Sequence, residues 1–248
     1  MQSVAMESDL PVEPASRIGA VRGVVMALAV MIVPRLWGAL FMLYDAELNP
    51  YVRDDSNLVR IAVVALSIAT AVWLIKSVGG VDVRSLFAGD RASFKEISAV
   101  LGAAVLLGFF QFVHASALGH KVHEPLFLLF VGSGLMLNCV LNPFYEEVNY
   151  RGICFAAVRR GSGRRVAAYT TSTLLFTLSH SKSYVDLIRH LETGLGYDFL
   201  FVLVLFGLTA AYIYERTGKL MLCVLLHSAA NSMQFLGVIT GHFLLIPH

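Results

Sequence analysis

Charge is what this chain has least of. Asp, Glu, Lys and Arg together supply 15% of its 248 residues, where a soluble domain carries about 25%. The formal net charge is only +2, too small for a nucleic-acid-binding surface. Three cysteines, Cys139, Cys154 and Cys223, form no C-x-x-C pair and all lie in apolar runs, which excludes a disulfide framework and leaves them as packing residues. Internal repeats, heptad arrays and low-complexity tracts are also lacking. What the chain has instead is apolar residues, 57% of the total with a mean hydropathy of +0.70. They are gathered into long runs, which predicts an all-α, polytopic transmembrane helical bundle.

The runs divide into about seven or eight spans. The first covers about Ile18 to Tyr44, interrupted at Pro34-Arg35; the second Val59–Val78; the third Ile97–Leu118. The fourth starts near Pro125 and continues past Asn142-Pro143 to about Val158, with a kink expected where proline removes a backbone donor. Val166–His180, Asp198–Tyr214 and Leu220–Met233 follow, and Phe235–Ile246 is a last, short or partial span. Residues 1–16 read as a disordered cytoplasmic tail, and residues 17–248 as a single transmembrane domain. The first run lacks a small-residue cleavage site and is expected to be retained. Residues between Gly79-Gly80 and Lys95 read as a surface loop with a short amphipathic helix. With the N-terminus cytoplasmic, Arg17, Arg22, Lys76, Arg84, Arg91, Lys95, Arg159, Arg160, Arg164, Arg165, Arg216 and Lys219 all fall on the cytoplasmic side. The opposite loops are Asp45–Leu58, Gly119–Glu124 and Ser181–Tyr197.

Against this background three polar clusters stand out: Glu146-Glu147-x-x-x-Arg151, Phe176-x-x-x-His180 and His227-x-x-x-Asn231. A charged side chain at mid-bilayer costs roughly 2.5–3.5 kcal/mol on insertion scales, so such groups gather around a wet cavity or pair with one another. Residues four apart share a helix face. Glu147 and Arg151 can therefore pair along the fourth span, while Glu146, turned roughly 100° away, faces a different partner. His227 and Asn231 share a face of the seventh span, and Phe176 and His180 one of the fifth. At about 1.5 Å per residue, Glu146 and His180 both lie roughly 20 Å from the cytoplasmic end, and His227 about 10 Å, so convergence requires the last helix to start lower or tilt. Two histidines and a glutamate also match the donor set of catalytic zinc sites, although the spacing is unlike H-E-x-x-H.

In this order, on separate apolar helices, these clusters resemble the three signature motifs of the CPBP family, the type II CAAX prenyl endopeptidases and bacteriocin-processing or immunity proteins formerly called Abi. The matching stretches are Glu146-Glu147-Val148-Asn149-Tyr150-Arg151-Gly152, Phe176-Thr177-Leu178-Ser179-His180 and His227-Ser228-Ala229-Ala230-Asn231, and Tyr214-Glu215-Arg216-Thr217-Gly218 is similar to the family as well. The resemblance spans residues 142–232, which would be the catalytic core. It implies an intramembrane endopeptidase in which Glu146 is the general base and His180 positions the same water and protonates the leaving amine. His227 and Asn231 would donate to the carbonyl oxygen, and Glu147 with Arg151 would hold the geometry. The resemblance is compatible with both a metal-free mechanism, which we favour, so that no cofactor is expected, and a zinc-dependent one with Glu146, His180 and His227 as ligands.

The implied partners are a peptide or membrane-protein substrate and the lipid bilayer, with no nucleic acid; oligomeric state is not legible. The protein is expected in the cell membrane if bacterial. Rhomboid-like serine and presenilin-like aspartyl chemistry fail on sequence, because the surroundings of Ser133 do not supply the serine-protease pattern and Asp198 sits one place late after Gly194-x-Gly196-Tyr197. The alternative to an enzyme is a non-catalytic or transport membrane protein built around the same buried Glu/His/Arg site. His114, His120, His123, His190, His242 and His248 fall outside the motifs and read as surface or interface residues.

Overall fold

The computed structural model describes residues 56–77, 91–118, 135–180 and 195–244, with scattered helical positions between 19 and 36. The tail at 1–16, residues 125–134 of the 125–158 span, most of the first span and the loops at 79–90, 119–134 and 181–194 lie outside the described residues, as do His120, His123, His190 and His248. Among the described residues there are helices and no strand.

The elements are α1 (Ser56–Ser77), α2 (Phe94–Leu118), a composite helix α3, then α4 (Arg165–His180), α5 (Leu195–Thr217) and α6 (Leu220–Leu244). Helix α3 changes pitch three times along its length. It is π-helical over Met136–Leu141, α-helical over Asn142–Glu147, π-helical again over Val148–Phe155 and α-helical over Ala156–Ser162. The kink expected at Asn142-Pro143 is thus taken up as a widened turn just before the proline. The two segments expected as Leu220–Met233 and Phe235–Ile246 are joined in α6, because nothing between them breaks the helical ladder.

Three of the described helices contain segments long and apolar enough to cross a membrane: Phe94–Val113, Leu200–Thr217 and Leu220–Gly237; Ala62–Trp73 is a shorter apolar stretch. Their outward faces carry large apolar side chains, among them Leu106, Phe109 and Phe110 on α2, Phe201 and Tyr212 on α5, and Leu236 on α6. Such a surface is costly in water and suited to lipid.

Glycines and a capping box set the turns at one end of the bundle. Ser93 and Glu96 close α2 reciprocally: the Ser93 N–H donates to Glu96 Oε2 at 2.7 Å and the Glu96 N–H to Ser93 Oγ at 3.3 Å. Gly163 (φ 67°) ends α3 and Gly218 (φ 65°) ends α5, each in the left-handed conformation that costs a glycine little. The same end is tied together by charge. Glu215 accepts from Arg159 Nε at 3.1 Å and the Tyr169 hydroxyl at 3.0 Å, and lies 3.2 Å from Arg165 Nε. Lys219 meets Glu96 at 2.8 Å. The end of α3, the start of α4, the end of α5 and the starts of α6 and α2 therefore lie together, as short connections between antiparallel neighbours require.

Helices α2 and α6 pack most closely. A Cβ added to Gly108 would lie 2.8 Å from Met233 Cβ and 3.2 Å from the Ala230 backbone, and Ala104 and Ala230 are fully buried beside it. Small residues at such a crossing bring two backbones together, which is how helices associate where burial from water offers no drive. Gly108→Ala is expected to lower stability by about 1–3 kcal/mol, read as a lower unfolding midpoint in detergent. Gly102→Ala on the same helix, where a Cβ meets nothing within 4 Å, should be neutral or mildly stabilising.

Candidate active site

The three polar clusters meet. Glu146 and Glu147 come from the short α-helical step of α3, His180 from the last residue of α4, and His227 from α6, eight residues after Lys219. A ligand atom from each of Glu146, His180 and His227 lies within 4.8 Å of the others. The shortfall in depth expected for His227 is absent: it meets both Glu146 and His180. The π-helical stretch Val148–Phe155, whose wider turns advance the chain less per residue, contributes part of that on the Glu146 side.

Beneath the site is a fully buried ion pair. Arg151 Nη1 donates to Glu147 Oε1 at 2.8 Å, with no exposure of either side chain. The second guanidinium nitrogen donates to the Gly207 carbonyl on α5 at 3.2 Å. That reach depends on α5 coming close, and Gly207 permits it: a Cβ there would sit 2.8 Å from Thr173 Cγ2. The guanidinium also stands over the Phe176 ring, 4.8 Å from its centroid, a cation–π contact that a desolvated setting strengthens. His227 Nδ1 reaches the same Glu147 Oε1 at 2.8 Å. One carboxylate oxygen thus holds both an arginine and an imidazole.

The imidazoles are oriented by their inner nitrogens. His180 Nδ1 lies 2.9 Å from the Phe176 carbonyl, which can only accept, so that nitrogen carries the proton. His227 Nδ1 is likewise directed at a carboxylate already paired with arginine. In the neutral tautomers both rings therefore turn a bare Nε2 toward Glu146: His180 at 3.3 Å and His227 at 3.8 Å from Oε2. Glu146 Oε2 is buried and takes no hydrogen bond. Three acceptor atoms converge with no donor among them, an arrangement suited to a species that brings protons or positive charge. Glu146 and His180 keep side-chain exposures of 21% and 24%, whereas Glu147 has none and His227 4%. The site therefore opens on the Glu146–His180 side and is closed behind.

Phe176 has a larger part than a spacer. It is 1% exposed, packs edge-on to Tyr150 at 5.5 Å and stacks on Phe206 at 5.4 Å, and contacts both imidazoles at 4.4 and 5.7 Å between ring centroids. Asn231, one turn beyond His227, donates through Nδ2 to the Asn138 carbonyl at 2.7 Å rather than to Glu146. Sequence reasoning missed Gly207, Phe206 and Asn138: two act through backbone carbonyls, which leave no residue-type signal, and Phe206 is one apolar residue among many. The sequence did single out Gly132-Ser133-Gly134 and Gly194, which lie outside the described residues, and the side chains of His114, Asp198 and His242 are likewise not described.

Fold and site together define a helical membrane protein with a buried acid–imidazole centre. Residues 125–233 match the family model for Rce1-like proteins, described as type II CAAX prenyl endopeptidase Rce1-like. The match covers all three motifs, and the family it describes is a protease family. No curated protein and no solved structure matches the chain.

The buried pair gives a direct test. Arg151→Met removes the cation while keeping the bulk over Phe176, leaving Glu147 buried with only His227 as partner. We expect a loss of about 3–5 kcal/mol, measured as a fall in unfolding midpoint and in the yield of folded protein from membranes.

Proposed function

We propose that the chain is an intramembrane endopeptidase of the CAAX-prenyl-protease kind, hydrolysing a peptide bond with water activated by glutamate and histidine. The observation that carries the reading is the Glu146 carboxylate flanked by two imidazoles whose inner nitrogens are already committed. A water molecule between Glu146 Oε2 and His180 Nε2 would donate one hydrogen to each, satisfying atoms that otherwise face one another as acceptors.

In the reaction Glu146 takes the proton as that water attacks the scissile carbonyl. His180, on the open side of the site, positions the same water through Nε2, receives the abstracted proton from Glu146 across 3.3 Å and passes it to the leaving amine, leaving both groups as they began. His227, held by Glu147, presents its outer nitrogen to the oxyanion when it carries a second proton, and the Glu147 carboxylate steadies that charge. Asn231 has one N–H engaged by Asn138 and a second for the same oxygen. Arg151 neutralises Glu147 and keeps its carboxylate fixed. Losing one donor to an oxyanion typically costs about 2.7–4 kcal/mol of barrier stabilisation.

The substrate is a peptide or membrane-protein segment. The arginine-rich end of the bundle, with Arg159, Arg160, Arg164, Arg165 and Arg216, is proposed to face the cytoplasm, on the excess of basic residues that cytoplasmic loops carry.

A metal-assisted variant draws on the same atoms. Glu146, His180 and His227 form a donor set that fits zinc, and each histidine is backed through Nδ1 by a carbonyl or a carboxylate, as metal-bound imidazoles are. A bound cation there would lower the pKa of its water. We favour the metal-free version, since the carboxylate and His180 suffice to activate water.

Comparison of the membrane-peptide pools of cells carrying wild type or Glu146→Gln tests the hydrolase and exposes its substrate. Removing a positioned base costs about 10²- to 10⁴-fold, so the cleavage products should vanish while the variant folds normally. Identical pools would favour a transport or scaffold role. Exhaustive chelation of the purified enzyme should leave cleavage unchanged; loss on chelation, restored by zinc, would establish the metal-assisted variant.

A further inference from the structure

The widened π-helical turn of α3 before Pro143 leaves one carbonyl without its own helix's donor. Between Met136 and Leu141 the backbone follows the π register, and the Asn142 N–H at its end donates five residues back, to Leu137. In that register the Asn138 carbonyl would be met by the N–H of residue 143. That residue is Pro143, which has none. The Asn142 N–H, which an α-helix would have sent to Asn138, is committed to Leu137. An unpaired carbonyl at this depth is costly, and in lipid no solvent relieves it. The group that reaches it is the Asn231 amide, from α6, at 2.7 Å across the helix interface.

We propose that Asn231 is first a positioning residue: it supplies the backbone donor that Pro143 withholds, and so fixes the bend of α3 that aims Glu146 and Glu147. The inference deepens the hydrolase reading and gives this amide a partner of its own within the protein. The geometry is short-range. Pro143 opens the same α-helical step, Asn142–Glu147, that carries both glutamates, and Glu146 lies one turn beyond it. Asn231 lies one turn beyond His227 on α6. One hydrogen bond therefore couples the two helices directly beside the residues that must meet, and it sets the register in which His227 finds Glu147 Oε1. A loose bend would swing Glu146 away from His180 without removing any catalytic atom.

This account separates from a purely oxyanion role by rescue. If Asn231 serves the carbonyl, restoring a backbone N–H at position 143 makes it dispensable to the fold of α3, leaving only its part at the substrate oxygen. Cleavage is measured in detergent for wild type, Asn231→Ala, Pro143→Ala and the double variant. Asn231→Ala is expected to lower kcat by about tenfold or more with KM little changed. In the Pro143→Ala background the same substitution should cost at least about tenfold less than in wild type, because residue 143 now donates to Asn138 and only the loss at the substrate oxygen remains. An equal loss in both backgrounds overturns the proposal and assigns the amide to the substrate oxygen alone.

A second measurement needs neither activity nor the proline variant. Spin labels at the exposed positions Leu135 on the α3 side and Leu236 on α6 report the spacing of the two helices across the bond. Asn231→Ala should broaden and lengthen that distance distribution. An unchanged distribution in a folded variant overturns the positioning role. A shifted distribution in Asn231→Ala, together with a wild type that cleaves nothing, would uphold the positioning role while removing the hydrolase reading.

Discussion

One oxygen atom organises this molecule. Glu147 Oε1 accepts from Arg151 and faces His227 Nδ1, both at 2.8 Å, in a place where neither carboxylate nor guanidinium has any exposure. The surroundings make that tolerable, since the price of burying these charges is several kcal/mol per ion unless hydrogen bonds and opposite charge satisfy them. The guanidinium finds the carboxylate, the Gly207 carbonyl and the face of Phe176. These partners come from three helices, α3, α4 and α5, and His227 adds α6. The pair is thus a point where the packing of four helices and the orientation of one imidazole are decided together. Glu146, its sequence neighbour, is left partly exposed and turned to the other side, free of the structural obligation. In the proposed reaction two adjacent glutamates divide the work between holding and reacting.

Close approach of backbones makes this division geometrically attainable. Gly207 lets α5 lie against Thr173, near enough for its carbonyl to receive Arg151; Gly108 lets α2 lie against α6. Neither glycine touches a titratable group through a side chain, yet a methyl group at either would push apart helices whose spacing the site depends on. The network on Glu215, with Arg159, Arg165 and Tyr169, clamps the same helices at their charged end. Its members are partly exposed, and such pairs contribute about 0–1 kcal/mol each; their weight lies in fixing register rather than in stability.

The sequence disclosed the site more fully than the fold. Four-residue spacing put Glu147 on Arg151 and separated Glu146 from them, because that face relation survives even where the turn widens. The helical character of the chain was also legible, since long apolar runs have few other uses. Depth was not. Counting at an α-helical rise left His227 short of Glu146, and the π-helical stretch Val148–Phe155 that shortens α3 there has no signature in residue type. Its eight residues are all buried, so tertiary packing, not local propensity, selects the wide turn. The merging of the last two apolar stretches into α6 was hidden for a simpler reason: Gln234 between them is one polar residue in a helix that has no breaker there.

Proline and asparagine carry the last step of the argument. Pro143 on its own is a defect, a missing donor inside an apolar bundle. Asn231 on its own is a polar side chain that lipid penalises. Joined by one bond to the Asn138 carbonyl, each removes the other's cost, and the bond can form only if α3 bends and α6 lies where His227 meets Glu147. Local rules broken on two helices become, in combination, a constraint on how those helices sit. The departures from regular α-helix geometry accordingly fall in α3, on either side of the step that carries Glu146 and Glu147, while α2, α5 and α6 run regular.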